Sequence, residues 1–224
     1  VFFAQVSADL DRRRERSLRE RVSDLLGKHV PQAIAEKMIA DETPLKPQRS
    51  FGSALVMDIA EFTAFSALHE PEYVVEKLDK FLADATRVVS KQGGVVITYL
   101  GDGFLATFNA PVLADRPEKS ALRAANDLNG IGANHGFKIR VGIATGDLVT
   151  GIIGNETRQS FTVYGDAVNL ASRLEGACKD RATSILMDEQ THRAVRHAQQ
   201  TKRLNDVTIR GLARDVVVFA PEIA

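Results

Sequence analysis

The order of apolar segments predicts an α+β fold with a ferredoxin-like βαββαβ core, extended by additional strands and helices. Three observations carry this. Residues 53–59 form a near-continuous apolar run that ends around Asp58, as a buried strand would. Two β-rich runs, 95–99 and 104–108, flank a tight Gly101-Asp102-Gly103 break and read as a hairpin. Long amphipathic segments follow the first strand (72–91, with Val74, Val75, Leu78, Phe81, Leu82 and Val88 on one face) and the hairpin (116–134).

Before this core, residues 1 to about 30 read as a helix. Leu18, Val22, Leu25 and Leu26 make its stripe, and six arginines between Arg12 and Arg21 dominate the other faces. Such a segment is either a solvated helix or a short, dimeric coiled coil. Val1-Phe2-Phe3 ahead of the arginines also resembles the cytoplasmic exit of a membrane helix. With Val1 in place of an initiator Met, the chain reads as part of something longer. Pro31 starts a second short helix, and residues 41–50, with Pro44 and Pro47, read as a linker. The expected domains are therefore 1–48, helical and dimerising, and 49–224, the folded core.

Within the core, Phe62–Leu68 is a short helix, and Gly93-Gly94 stops the longer one that Pro71 starts. Residues 138–144 and 148–153 read as two strands joined at Thr145-Gly146-Asp147. A brief extended segment (161–164), a helix (166–178), a short strand (184–187) and a helix (188–195) follow. A hairpin, 204–210 with 215–220, closes the chain around Gly211.

Bulk composition excludes several functions. Lys+Arg and Asp+Glu both number 29, so no global charge draws the chain to nucleic acid. The single Cys178 cannot form an internal disulfide and suits a reducing compartment, hence a cytoplasmic domain. The five histidines lack metal-ligand spacing. No apolar run reaches the ~18–20 residues that a membrane span needs. Gly151 and Gly154 lack a following Lys-Ser/Thr, so there is no P-loop.

In a split βαβ the first and third strands are antiparallel neighbours, which brings Asp58 and Asp102 to one sheet edge although they are 44 positions apart. Adjacent ionised carboxylates repel unless a cation lies between them. Such a pair suits Mg²⁺, and two ions together can clamp an in-line phosphoryl or nucleotidyl displacement. Phe62 and Thr63 open the helix after Asp58, where free N–H groups can meet phosphate. The bland alternative is a helix cap plus a turn aspartate. A second constellation lies in Tyr164-Gly165-Asp166-Ala167-Val168-Asn169-Leu170-Ala171-Ser172-Arg173-Leu174-Glu175. Asn169 and Arg173, four apart, share a helix face, where an amide can orient a ribose and a guanidinium neutralise a phosphate. Taken alone, this would be an exposed polar face.

Four segments in register resemble the class III nucleotidyl cyclase catalytic domain. They are Met57-Asp58-Ile59-Ala60-Glu61-Phe62-Thr63, Tyr99-Leu100-Gly101-Asp102-Gly103, Val141-Gly142-Ile143-Ala144-Thr145-Gly146, and Phe161–Glu175. The resemblance covers about residues 50–221. It implies an enzyme that converts a nucleoside triphosphate, here ATP, to a 3′,5′-cyclic monophosphate and pyrophosphate. By position it implies Asp58 and Asp102 as ligands of two Mg²⁺ or Mn²⁺ ions, with the Ile59 carbonyl as an added ligand. It implies Asn169 as the ribose-orienting residue and Arg173 as the transition-state arginine, with Arg210 a looser match to a triphosphate contact. Sites shared between the two chains of a homodimer are implied as well. Residues 1–30 resemble the parallel helical linker that couples many bacterial members to an upstream sensor or membrane segment.

The base-selecting positions depart from the family pattern. Thr98 stands where adenylate cyclases usually carry Lys, and Thr162 fits the adenylate subgroup that uses Thr. The Glu and Cys usual in guanylate cyclases are absent. Glu61 replaces a frequent Gly and adds negative charge beside the phosphate loop. Adenylate cyclase is the first reading. The others are a guanylate or relaxed-specificity cyclase and a catalytically weak nucleotide-sensing or dimerisation module.

Overall fold

The computed structural model describes residues 34–35, 46–155, 157, 159–207 and 216–222. The predicted N-terminal helix, its membrane-exit reading and Arg210 therefore lie outside the described residues. The chain resolves into two compact units. One contains Pro47–Gly151 and Thr162–Ala224; the other contains Ile152–Phe161 together with Val1–Lys46.

The elements run β1 (Gln48–Ile59), α1 (Phe62–Ala67), α2 (Pro71–Lys91), β2 (Gly94–Leu100), β3 (Gly103–Phe108), α3 (Pro117–Asn134) and β4 (Ile139–Gly154). They continue with β5 (Gln159–Tyr164), α4 (Asp166–Ala177), a single 3₁₀ turn (Lys179–Arg181), β6 (Ile185–Asp188), α5 (Glu189–Val195), β7 (Thr201–Val207) and β8 (Val216–Pro221). The sheet order is β2-β3-β1-β4-β6-β8-β7, with β5 pairing β4. The first four strands in that order, β2-β3-β1-β4, are the expected split βαβ. All their pairings are antiparallel, whereas β6 joins β4 in parallel.

Two expectations need correction. The turn at Thr145-Gly146-Asp147 does not exist, because β4 runs unbroken and pairs with β1 from Ile59↔Ile139 to Gln48↔Thr150. That ladder satisfies the backbone groups which a turn would otherwise pair locally, so tertiary pairing overrides the Gly-Asp signal. For the same reason β1 starts at Gln48, inside the stretch read as linker.

One sheet face buries Leu55, Met57, Ile59, Phe104, Phe108, Val141 and Ile143 against Phe81, Ala85 and Val89 of α2 and Ala121, Ala125 and Leu128 of α3. Burying a side chain of this size contributes about 1.5–3 kcal/mol. The core thus fixes the strand register, and a slip of one residue would move each of these side chains to the opposite face of the sheet. On this rigid base, helix α4 lies close to the sheet. A Cβ on Gly142 would fall 2.0 Å from the Ala171 carbonyl oxygen, so only glycine allows this approach.

Candidate active site

Asp58 sits one residue from the end of β1, and Asp102 in the tight turn between β2 and β3. The Met57↔Phe104 pair brings them together. Gly103 permits the closeness, since a Cβ there would fall 2.1 Å from the Met57 carbonyl oxygen. The Asp102 carboxyl is half-buried. Burial, and then the neighbouring Asp58 carboxylate, raise its proton affinity above the ordinary value. Hydrogen bonds from its own and the Ile59 backbone N–H partly counter this.

Sequence reasoning missed two further members of the site. Arg140 on β4 faces Asp58 across the β1–β4 ladder, with Nη2 donating to Oδ2 at 2.5 Å. Its Nε lies 2.9 Å from Oε1 of Glu175 on α4. Both atoms are buried, so the two charges meet out of contact with water. Burial opposes the charge on Arg140, but Asp58 and Glu175 overcome it and hold the guanidinium above its usual value. Burial and the Asp58 carboxylate push Glu175 up, against the pull of Arg140. The signal was a single cation at the head of an apolar run, with Val141-Gly142-Ile143-Ala144 following Arg140, which has to find an anion once it is buried.

Asp58, Ile59, Phe62, Thr63, Asp102 and Arg140 line one cavity of about 910 Å³. Glu61 lies on its rim with φ 60° and ψ 25°, left-handed backbone that glycine adopts most easily. Asn169 and Arg173 line a different cavity, of about 850 Å³, with Asp147 and Asp166. Helix α4 presents both, as the four-residue spacing requires. Thr98 is exposed on β2 just past a bulge, and Thr162 is half-buried on β5; neither lines these two cavities. Within one chain, then, the carboxylate pair and the amide–guanidinium pair do not meet in one pocket.

The donor set at Asp58 and Asp102 fits a hard cation. It is all oxygen, and the Asp58 charge, which adds to the larger effect of burial in raising Asp102, is what a divalent ion relieves. Among the described residues no group of three or more His, Cys, Asp or Glu could hold a metal. A pair of carboxylates therefore suits an ion that completes its shell with water and substrate phosphate.

Residues 49–220 match the family model described as the adenylate and guanylate cyclase catalytic domain. The chain belongs to this family. Adenylate cyclase 1 of Rhizobium meliloti is 37% identical over 144 residues, 60% of this chain and 22% of that protein. An uncharacterized Mycobacterium tuberculosis protein is 31% identical over 210 residues, 91% of this chain and 37% of its own length. The cyclase domain thus spans well under half of these curated relatives. The solved adenylyl cyclase CyaB from P. aeruginosa superimposes with a TM-score of 0.74 at 24% identity, over 80% of this chain and 97% of that one. Solved guanylate cyclase domains share the fold too. Among the described residues of the cyclase domain, no helix is long and apolar enough to cross a membrane.

Proposed function

We propose that the domain is an adenylate cyclase, which converts ATP to 3′,5′-cyclic AMP and pyrophosphate and acts as a homodimer with shared sites. The observation that carries this reading is the separation of the two half-sites. Asp58 and Asp102 line one cavity and Asn169 and Arg173 another, so a complete site requires the first cavity of one copy to face the second cavity of its partner.

The reaction forms a bond from the ribose 3′-oxygen to the α-phosphorus and breaks the bond from that phosphorus to the pyrophosphate oxygen. The 3′-hydroxyl proton leaves to Asp58, water or phosphate; no side chain stands out as a dedicated base. Two Mg²⁺ or Mn²⁺ ions, held by Asp58, Asp102 and the Ile59 carbonyl, would neutralise the triphosphate and acidify the attacking hydroxyl. The N–H groups of Phe62 and Thr63 meet phosphate. Asn169 orients the ribose, and the Arg173 guanidinium stabilises charge that grows on the phosphoryl and leaving oxygens. Thr98 and Thr162 contact the base by hydrogen bonds alone, and Arg210 adds a cation for the triphosphate. The uncharged Thr98 favours a second reading, relaxed selection between adenine and guanine.

The test is complementation. Asp58→Ala and Arg173→Ala should each lower cyclic AMP formation from Mn²⁺-ATP by at least 100-fold, the scale for loss of one charged transition-state contact. Mixing the two should restore up to about a quarter of normal activity, because random pairing leaves one intact site in half of the dimers. Absence of rescue refutes shared sites. Cyclic GMP formed from GTP at a matching rate would establish the relaxed reading.

A further inference from the structure

The Asp58 carboxylate has two suitors in the proposed cyclase, the guanidinium of Arg140 and a divalent cation. The structure shows the first. Nη2 of Arg140 lies 2.5 Å from Oδ2 of Asp58, and both side chains are about three-quarters buried. On its other side the same guanidinium meets Glu175. There Nε and Oε1 stand 2.9 Å apart, both buried. The guanidinium is thus shared between the two carboxylates, Asp58 on one side and Glu175 on the other. Glu175 is mostly buried, and its only ion-pair partner among the described residues is Arg140. Asp58 and Glu175 are held on different elements, β1 and α4, and Arg140 reaches them from a third, β4.

We propose that Arg140 is a built-in counter-ion for the cation site. It neutralises Asp58 when no cation is bound, and it shifts onto Glu175 when a cation takes the carboxylate. The charge in the cleft is then balanced in both states. Without the guanidinium, which reaches Asp58 from β4 on the side away from Asp102, the Asp58 charge would face that of Asp102 uncompensated. Without Glu175, a guanidinium displaced from Asp58 would be left buried and unpaired, which is costly. Glu175 is therefore a positioning residue, acting through Arg140 rather than on the cation. This rests on Asp58 and Asp102 forming a cation site, and the experiment separates failure of that premise from failure of the counter-ion.

The test is isothermal titration of the 224-residue chain with Mn²⁺ alone, without nucleotide. Arg140→Met should tighten Mn²⁺ binding roughly three- to tenfold, the worth of one partly exposed charged contact. Glu175→Gln should weaken it by a similar factor. The deciding measurement is the double variant. If Glu175 works through Arg140, Glu175→Gln changes nothing further once Arg140 is Met. If Glu175 acts only by its field on the cation, it weakens binding equally in both backgrounds, and the proposal falls. Arg140→Met alone leaves two largely buried carboxylates, Asp58 and Glu175, unpaired, and that chain can lose its fold. The double variant removes Arg140 and the more deeply buried of its two carboxylates, leaving only the more exposed Asp58 unpaired, and its thermal unfolding checks that it folds; it should then bind Mn²⁺ more tightly than the wild type, and equal or weaker binding overturns the counter-ion. If the wild-type chain gives no Mn²⁺ heat, the cation site itself is refuted. If the wild type binds and the variants match it, only the counter-ion is.

Discussion

Gly142→Ala tests whether the spacing between helix α4 and the sheet sets the geometry of the Asn169–Arg173 half-site. The added Cβ would fall 2.0 Å from the carbonyl oxygen of Ala171 and 2.4 Å from the amide nitrogen of Glu175. Both are helix backbone, which cannot rotate aside as a side chain tip can. Ordinary contact begins at 3.4 Å, so α4 has to retreat by about 1 Å or more. At its N-terminus the helix is equally tight, since a Cβ on Gly165 would stand 2.3 Å from the Asp147 carbonyl oxygen. The retreat must therefore pivot the helix, moving Arg173 and Glu175 together. Overpacking of this kind costs about 1–3 kcal/mol, and in a domain of this size each kcal/mol lowers Tm by roughly 2–4 °C. A displacement of about 1 Å at a positioning element costs on the order of 100-fold in turnover. Calorimetric unfolding and cyclic AMP formation from Mn²⁺-ATP, run on the same sample, should show a modest drop in Tm beside a large drop in kcat. A Gly142→Ala chain with normal kcat and a Tm within 1 °C would show that close packing of α4 on β4 does not position Arg173.

Two other perturbations probe the cavity rim and the buried thiol. Glu61→Gly removes a left-handed non-glycine residue, which relieves about 1–2 kcal/mol of strain against roughly 0.5–1 kcal/mol of added chain entropy. Tm should hold or rise by up to about 4 °C, and KM for ATP should fall as a carboxylate leaves the cavity rim; a higher KM would contradict the proposed phosphate contact there. Cys178 is buried, and burial pushes its thiol up to about 12. Its stabilising effect is complete below about 8.5, where the unfolded thiol ionises, and is lost as pH rises toward 12, at up to roughly 1.4 kcal/mol per pH unit. Cys178→Ala should flatten the alkaline limb of the Tm–pH profile above about 9, and an unchanged slope would place the pH dependence elsewhere.

The split βαβ order was legible from the alternation of apolar strands with amphipathic helices, because each element buries its face by a rule local to the chain. The meeting of Asp58 and Asp102 was legible for a further reason, since topology alone decides which strands are neighbours. The unbroken course of β4 through Thr145-Gly146-Asp147 was not, for turn chemistry is local whereas the ladder to β1 that overrides it spans Gln48 to Ile59. Neither was the role of Arg140, which looks like a stray charge in a strand until β1 and α4 supply its two carboxylates.

The sequence by itself determined the set of chemical groups and the neighbours they acquire through strand order: two acids at one sheet edge, an amide and a guanidinium on one helix face. Tertiary structure alone decided that these two sets open into different cavities, and that a cation from β4 already holds one of the acids. The physical reason is range. Periodicity and spacing fix what lies within a turn of helix or a strand pair, whereas the way a helix face and a sheet edge open to solvent depends on how closely glycine lets the backbones pack.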